Sequence, residues 1–301
     1  MIGIVTVLYN SGPVLSDFFK TLEIQTYKDF KLYVVDNNSK DNSLELTKKL
    51  SKEVSFDTII MPQEVNVGVA KGNNIGIKKA LDDNCEYVLL ANNDIVMEED
   101  CIENLLNGMV VMNVSMAVPK IYYHDTQKMI WAAGGFYKTY RCGTPHRGNI
   151  ELDNGQYEKN DIVEYAPTCF MLIHKDVFTR VGFMDENYFV YFDDADFVWR
   201  AVKLGKERLA YIYNSVVWHK VSCCTGGSMS DFYIHYFNRN KIYFVRKHFN
   251  LIQKIIFFSY LLLQYTLRSR SIYNNEQRQL YKESCIEGWR YYNQKKHELC
   301  R

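Results

Sequence analysis

An almost unbroken apolar run, Ile2–Leu8, opens the chain and reads as a strand buried on both faces. Helical spacing follows over Val14–Ile24, then a second buried run at Lys31–Val35 and a helix over Ser43–Leu50. The alternation continues with strands at Thr58–Met61 and Tyr87–Ala91, separated by a helix over Val69–Leu81. Apolar strands alternating with helices predict an α/β fold, with a mostly parallel sheet covered on both faces. Ligands of such sheets sit beyond the carboxyl ends of the strands. The polar residues gather at those ends: Tyr9-Asn10, Asp36-Asn37-Asn38-Ser39 and Asn92-Asn93-Asp94.

From 121 to 175 the periodicity loosens into loops rich in Gly, Tyr and Asn, which predict a variable region over the sheet edge. A strand-like Glu164–Ile173, a short helix Lys175–Val181, a helix-like Phe197–Leu204 and strands at Arg208–Ile212 and Ser215–His219 follow. Residues 229–301 read as two or three amphipathic helices. The expected organisation is a body at 1–228, with halves at 1–120 and 121–228, and a helical extension at 229–301. The longest apolar stretch, Ile255–Leu263, is far shorter than the ~20 residues that span a bilayer.

Composition sharpens this picture at three points. The net charge of +1 conceals −7 on residues 1–228 and +8 on residues 229–301. A basic, aromatic tail on an acidic body suits an anionic lipid surface or the body's own acidic face. Leu251–Leu263, flanked by Lys254, Arg268 and Arg270, suits a peripheral contact with an anionic membrane, or equally core packing or a homodimer contact. Nucleic acid is not expected as a partner. Eight Cys show no C-x-x-C spacing, and Cys223-Cys224 are adjacent. With no leader-like segment ahead of the first strand, reduced thiols and a cytoplasmic location are expected.

The most informative stretch is 188–196, where an aromatic run delivers Asp193, Asp194 and Asp196 ahead of the helix-like segment. Carboxylates this close repel one another and persist where a cation or a proton-transfer task needs them. Asp94, flanked by two amides, offers the hard oxygen that holds Mg²⁺ or Mn²⁺ beside substrate phosphates. His219, at the end of an apolar strand, adds an imidazole suited to Mn²⁺. Asp36 and Asn37 offer bonds to a base edge or a ribose, while Ser39 or Asp41 serves as a helix cap. The small residues from Asn66 to Gly76 let backbone approach a phosphate at a helix start. The segment lacks both G-x-G-x-x-G and G-K-[ST], which excludes the Rossmann dinucleotide and P-loop readings.

Taken in order, these pieces resemble the family 2 glycosyltransferases of GT-A fold, especially the rhamnosyltransferase-like branch, over residues 2–248. Val5-Thr6-Val-Leu-Tyr9-Asn10, Val35-Asp36-Asn-Asn-Ser39, Asn66-Val-Gly-Val-Ala-Lys-Gly-Asn-Asn74 and Leu90-Ala-Asn-Asn-Asp94 match its nucleotide-sugar half. Val181-Gly-Phe-Met-Asp185, Tyr191-Phe-Asp193-Asp194-Ala-Asp196 and Val216-Val-Trp-His219 match its acceptor half. Asn92 stands where the family often has Asp.

The resemblance implies a UDP- or dTDP-linked sugar held by Thr6, Tyr9, Asp36, Asn37, Asn66, Gly68, Asn74 and Asn93. It implies Mn²⁺ or Mg²⁺ at Asp94 and His219, with Asp194 as general base. Asp193, Asp196, Trp131 and Thr168 would face the acceptor. The implied reaction is inverting transfer to a hydroxyl of a glycan or lipid-linked glycan, in surface polysaccharide synthesis at the inner membrane face. Two rivals stand beside it: a sugar-1-phosphate nucleotidyltransferase, and a non-catalytic subunit of the same fold that binds without turnover.

Overall fold

The structure, a computed structural model, describes residues 1–126, 128–221, 230–267 and 269–299. Cys223, Cys224 and Arg268 lie outside the described residues, as does the side chain of Arg270. The first half alternates β1 (Ile2–Leu8), α1 (Gly12–Glu23), β2 (Phe30–Asp36), α2 (Ser43–Leu50), β3 (Thr58–Pro62), α3 (Val69–Asp82) and β4 (Tyr87–Ala91). Then come β5 (Ile95–Met97), α4 (Cys101–Val111), β6 (Met116–Tyr123), β7 (Met129–Ala132), β8 (Glu151–Leu152), β9 (Asp161–Val163) and β10 (Phe170–His174). The chain continues through α5 (Lys175–Val181), α6 (Asp193–Val198), β11 (Leu209–His219), α7 (Asp231–His248), α8 (Leu251–Leu267), α9 (Ser269–Ile272) and α10 (Asn275–Leu299).

The sheet order is β3-β2-β1-β4-β10-β6-β11-β5. β1 to β4 pair in parallel, as their continuous apolar runs require. β10 runs antiparallel to both β4 and β6, and β5 runs antiparallel to β11, so the second half is mixed. Helices α1 and α4 cover one face, where Phe18, Leu22 and Leu105 meet Ile4 and Leu89. Helix α3 covers the other, where Ile77 and Ala80 meet Val5 and Tyr33. That second core extends into Phe197, Phe244 and Phe257, which ties α6, α7 and α8 to the sheet.

Four expectations from the sequence change. The strand-like Glu164–Ile173 shortens, because only Phe170–His174 pairs with β4, and a separate short strand just before it, Asp161–Val163, pairs with β11. The strands expected at 208–212 and 215–219 are one strand, β11, with a register shift between Ile212 and Val216. Helix α6 begins at Asp193, so the three acids occupy its first turn and do not precede it; Trp199–Leu204 continues as a π-helical turn. Of the glycines between Asn66 and Gly76, Gly68 lines a cleft while Gly76 serves packing. A Cβ on Gly76 would stand 2.3 Å from Val5 Cγ1, so this glycine seats α3 on β1.

Candidate active site

The carboxyl ends of β1, β2 and β4 open into a cleft of about 840 Å³, within the size range of small-molecule sites. Tyr9, Asn37, Asn66, Gly68, Asn93 and Asp94 line it from the sheet side. The loops after β1 and β2 are braided: Asn10 N donates to Ser39 Oγ at 3.1 Å, and Lys40 N donates to Asn10 Oδ1 at 2.8 Å. Ser39 and Asp41 are spent on this scaffold, since Asp41 also accepts from Gly12 N at 3.1 Å. Gly68 sits at φ 83°, and a Cβ there would meet the Phe189 carbonyl at 2.5 Å, so the turn into α3 requires glycine. Asn37 Nδ2 donates to the Gly68 carbonyl at 3.1 Å, and Asn66 Oδ1 accepts from Gly68 N at 2.9 Å.

Opposite Asp94, the antiparallel register of β5 and β11 pairs Ile95 with His219. This brings His219 Nε2 to 3.2 Å from Asp94 Oδ2. Asp94 Oδ1 and His219 Nδ1 are buried and have no partner among the described residues. Thr6 Oγ1, Asp36 Oδ1 and Asn37 Oδ1 share that condition. Five of the eight such atoms therefore collect at this one end of the sheet. Each unpartnered buried polar atom costs ~1–3 kcal/mol, so a cluster of them is where a ligand or ordered water would complete the bonding.

The acids lie on a different element. Two consecutive non-glycine residues, Tyr191 (φ 61°) and Phe192 (φ 67°), are left-handed and turn the chain into α6. This costly pair is held by Asn240 of α7, whose Nδ2 donates to the Val190 and Tyr191 carbonyls at 2.8 and 2.9 Å. Asp194 Oδ1 accepts from Ala195 N at 2.6 Å, and Oδ2 accepts from the Tyr165 hydroxyl. Burial pushes the Asp193 and Asp194 carboxyls above the ordinary range, and the neighbouring Asp194 charge adds to the effect on Asp193.

The Cys169 thiol at the start of β10 is raised by burial, then by the charges of Asp94 and Asp194 together. That one residue therefore lies within reach of the charge of both acids. The Asn92 amide donates to the Cys169 carbonyl at 2.8 Å, and Thr168 beside it is buried.

The family model described as Glycosyl transferase family 2 matches residues 3–182. The chain belongs to glycosyl transferase family 2. It is 26% identical over 196 residues to glycosyltransferase GlyG of Streptococcus pneumoniae serotype 4, covering 63% of this chain and 62% of that one. It is also 26% identical over 206 residues to dTDP-rhamnosyl transferase RfbF of Shigella flexneri, covering 67% and 64%. The chain thus spans less than two thirds of the length of these curated relatives. The solved structure of S. aureus TarS 1-349 in complex with UDP-GlcNAc is similar at a TM-score of 0.61 and 14% identity, covering 97% of this chain and 81% of that one. That likeness shows the GT-A fold.

Within this family 2 chain, the sequence-expected residues fall into three groups. Tyr9, Asn37, Asn66, Gly68, Asn93, Asp94 and His219 come together on the cleft wall. Thr6 and Asp36 are buried at the strand ends rather than lining it. Asn74 is turned elsewhere: its amide donates to the Met184 carbonyl at 2.9 Å and accepts from Met184 N at 3.0 Å, fastening α3 to the loop after α5.

Asp196 is the clearest correction to the acceptor side. It is fully buried and accepts from Arg200 Nε at 2.7 Å, Lys247 Nζ at 2.6 Å and His248 Nε2 at 2.7 Å. Burial alone would raise its carboxyl; the His248 bond and the Lys247 and Arg200 charges outweigh that and hold it far below the usual range. Trp131 does lie beside the site, with His219 at a ring distance of 4.6 Å and His146 at 4.4 Å.

Sequence reasoning missed the far wall. Phe232 and Tyr236, one helical turn apart on α7, line the cleft with Phe189, and Tyr236 stacks on Phe189 at 5.3 Å. Their i, i+4 aromatic spacing was the available signal. Among the described residues, no three His, Cys, Asp or Glu side chains form a closed metal cage.

Proposed function

We propose that this chain is an inverting glycosyltransferase that moves a sugar from a nucleoside-diphosphate donor to a hydroxyl of a glycan acceptor. The observation that carries the reading is the convergence of unpartnered buried polar atoms at the strand ends, together with an acidic turn on a separate element. Tyr9 and Asn37 on the cleft wall would take the base and ribose, with the unpartnered Oδ1 of the buried Asp36 available at the strand end. Phe189, Phe232 and Tyr236 would close over the donor, so the catalytic unit extends through α7, beyond residue 228.

The donor set fits a divalent cation such as Mn²⁺ or Mg²⁺. Asp94 and His219 already face each other, each with an open buried atom, and such cations take one or two protein ligands plus diphosphate oxygens. When bound, the cation would neutralise charge on the leaving diphosphate. On the acidic side, Asp194 would accept the proton of the attacking hydroxyl. The acceptor oxygen bonds the anomeric carbon as the bond to the diphosphate oxygen breaks, and the nucleoside diphosphate leaves with that electron pair. Inversion needs the base and the leaving group on opposite sides of the sugar. Placing Asp194 and Asp94 on different elements supports that arrangement.

RfbF supports a dTDP donor by its name, and TarS a UDP donor by its bound ligand. A lipid-linked acceptor would suit the exposed aliphatic face of α8, where Leu251, Ile252, Ile255, Leu262 and Leu263 stand in solvent. No described helix is long and apolar enough to cross a membrane. The test is product analysis with UDP- and dTDP-sugars and cell-extracted glycolipid. Free nucleoside diphosphate supports transfer, pyrophosphate release identifies a nucleotidyltransferase, and binding without turnover identifies a non-catalytic subunit.

A further inference from the structure

We propose that Tyr165 is a positioning residue for Asp194: its hydroxyl holds one carboxylate oxygen while the Ala195 amide holds the other, so the acceptor hydroxyl meets an oxygen of fixed direction. The inference rests on the reading of Asp194 as the base. Tyr165 follows β9, and its amide donates to the Gly135 carbonyl at 3.2 Å, which anchors the residue from its backbone. Its ring is buried against Tyr137 at 5.4 Å and His146 at 6.2 Å. Tyr137 holds the same turn of α6 by a different group, donating to the Ala195 carbonyl at 3.0 Å. The aromatic pair thus grips both the carboxylate and the backbone of this turn.

The pair also closes a continuous row of rings. His219 meets Trp131 at 4.6 Å, Trp131 meets His146 at 4.4 Å, and His146 meets Tyr165, whose hydroxyl reaches Asp194. The wall between the Asp94–His219 pair and the acidic turn is therefore built of packed rings, a rigid spacer between two groups that act on one sugar.

Tyr165 keeps its proton, because burial and the Asp194 charge push its hydroxyl far above its ordinary value. It can then only donate to the carboxylate. The titratable groups that feel the Asp194 charge are Asp193 on its own helix, Tyr137 and Tyr165 on two preceding loops, and Cys169 just before β10. None of these four is a cation. The Tyr165 bond and the Ala195 amide oppose the upward push of burial on Asp194. Removing the hydroxyl therefore moves the Asp194 titration to higher pH.

The titration arm of the test uses the whole chain labelled with ¹³C at the aspartate carboxyls and requires no acceptor; the turnover arm uses the donor and acceptor that support transfer. The Asp194 signal is assigned by its loss in Asp194→Asn. In Tyr165→Phe, which keeps the buried ring, the Asp194 midpoint moves to higher pH and turnover falls about tenfold or more at unchanged donor KM. In Tyr137→Phe, which removes only the bond to the Ala195 carbonyl, the midpoint stays. An unmoved midpoint with undiminished turnover in Tyr165→Phe overturns the proposal, as does an equal movement in both variants. Full turnover in Asp194→Asn overturns the base assignment itself; the titration would then still report the clamp, which separates the two failures.

Discussion

Replacing Asp196 by Asn removes the anion that Arg200, Lys247 and His248 share in the core between α6 and α7. Breaking a buried ion pair by deleting one partner costs ~3–5 kcal/mol, because the remaining charge stays desolvated. Two observations place this case at the low end. Lys247 keeps Asp185 at 2.6 Å, and Arg200 keeps the Val181 and Phe183 carbonyls at 2.8 and 2.7 Å. A loss of about 3 kcal/mol lowers the melting temperature by about 5 °C for a chain of 301 residues, whose unfolding entropy is about 0.6 kcal/mol/K.

The pH dependence follows from the depressed folded-state value. The Asp196 contribution is complete above its ordinary value of 3.8 and is lost as pH falls through the lower folded value. The gap between wild type and variant, measured by urea denaturation, should therefore be constant from pH 8 to about pH 5 and shrink below about pH 4. A variant as stable as wild type, with only acceptor affinity weakened, would refute this reasoning and return Asp196 to the acceptor side.

Asp94→Ala and His219→Ala should each abolish the Mn²⁺-dependent part of nucleotide binding in calorimetry; metal-dependent binding retained in both would contradict their assignment. Asp194→Asn should lose transfer by ~100-fold or more while nucleotide affinity stays within about twofold, as measured by turnover beside titration. Tyr236→Ala should weaken nucleotide binding about three- to tenfold through the lost aromatic contact, with little change in melting temperature.

The nucleotide half was legible because its signals are local. β1, α2 and β4 begin and end at the residues that their hydrophobic periodicity marks. The residues at the strand ends followed from topology, since a parallel sheet directs them into one cleft. What the sequence hid depends on distant contacts. Nothing local reveals that Tyr191 and Phe192 adopt left-handed backbone, because the group that stabilises them, Asn240, lies about fifty residues onward. For the same reason Asp196 looked like a third functional acid, since its partners Lys247 and His248 come from the tail. Trp131 sits on the short strand β7, and His146 and Tyr165 on loops, within a stretch without clear periodicity, so their stacking had no signal in the pattern of apolar positions.

The central claim is that the strand-end cleft binds a nucleoside diphosphate together with a divalent cation. Its most direct test is a thermal-shift comparison of UDP, dTDP, GDP and CMP, each with and without Mn²⁺. Binding at a hundredfold excess over Kd stabilises the native state by about 2.7 kcal/mol. The account predicts a clear rise in melting temperature with UDP or dTDP that requires Mn²⁺ and disappears in Asp94→Ala. No rise with any nucleotide, or a rise indifferent to metal and to Asp94, would contradict it.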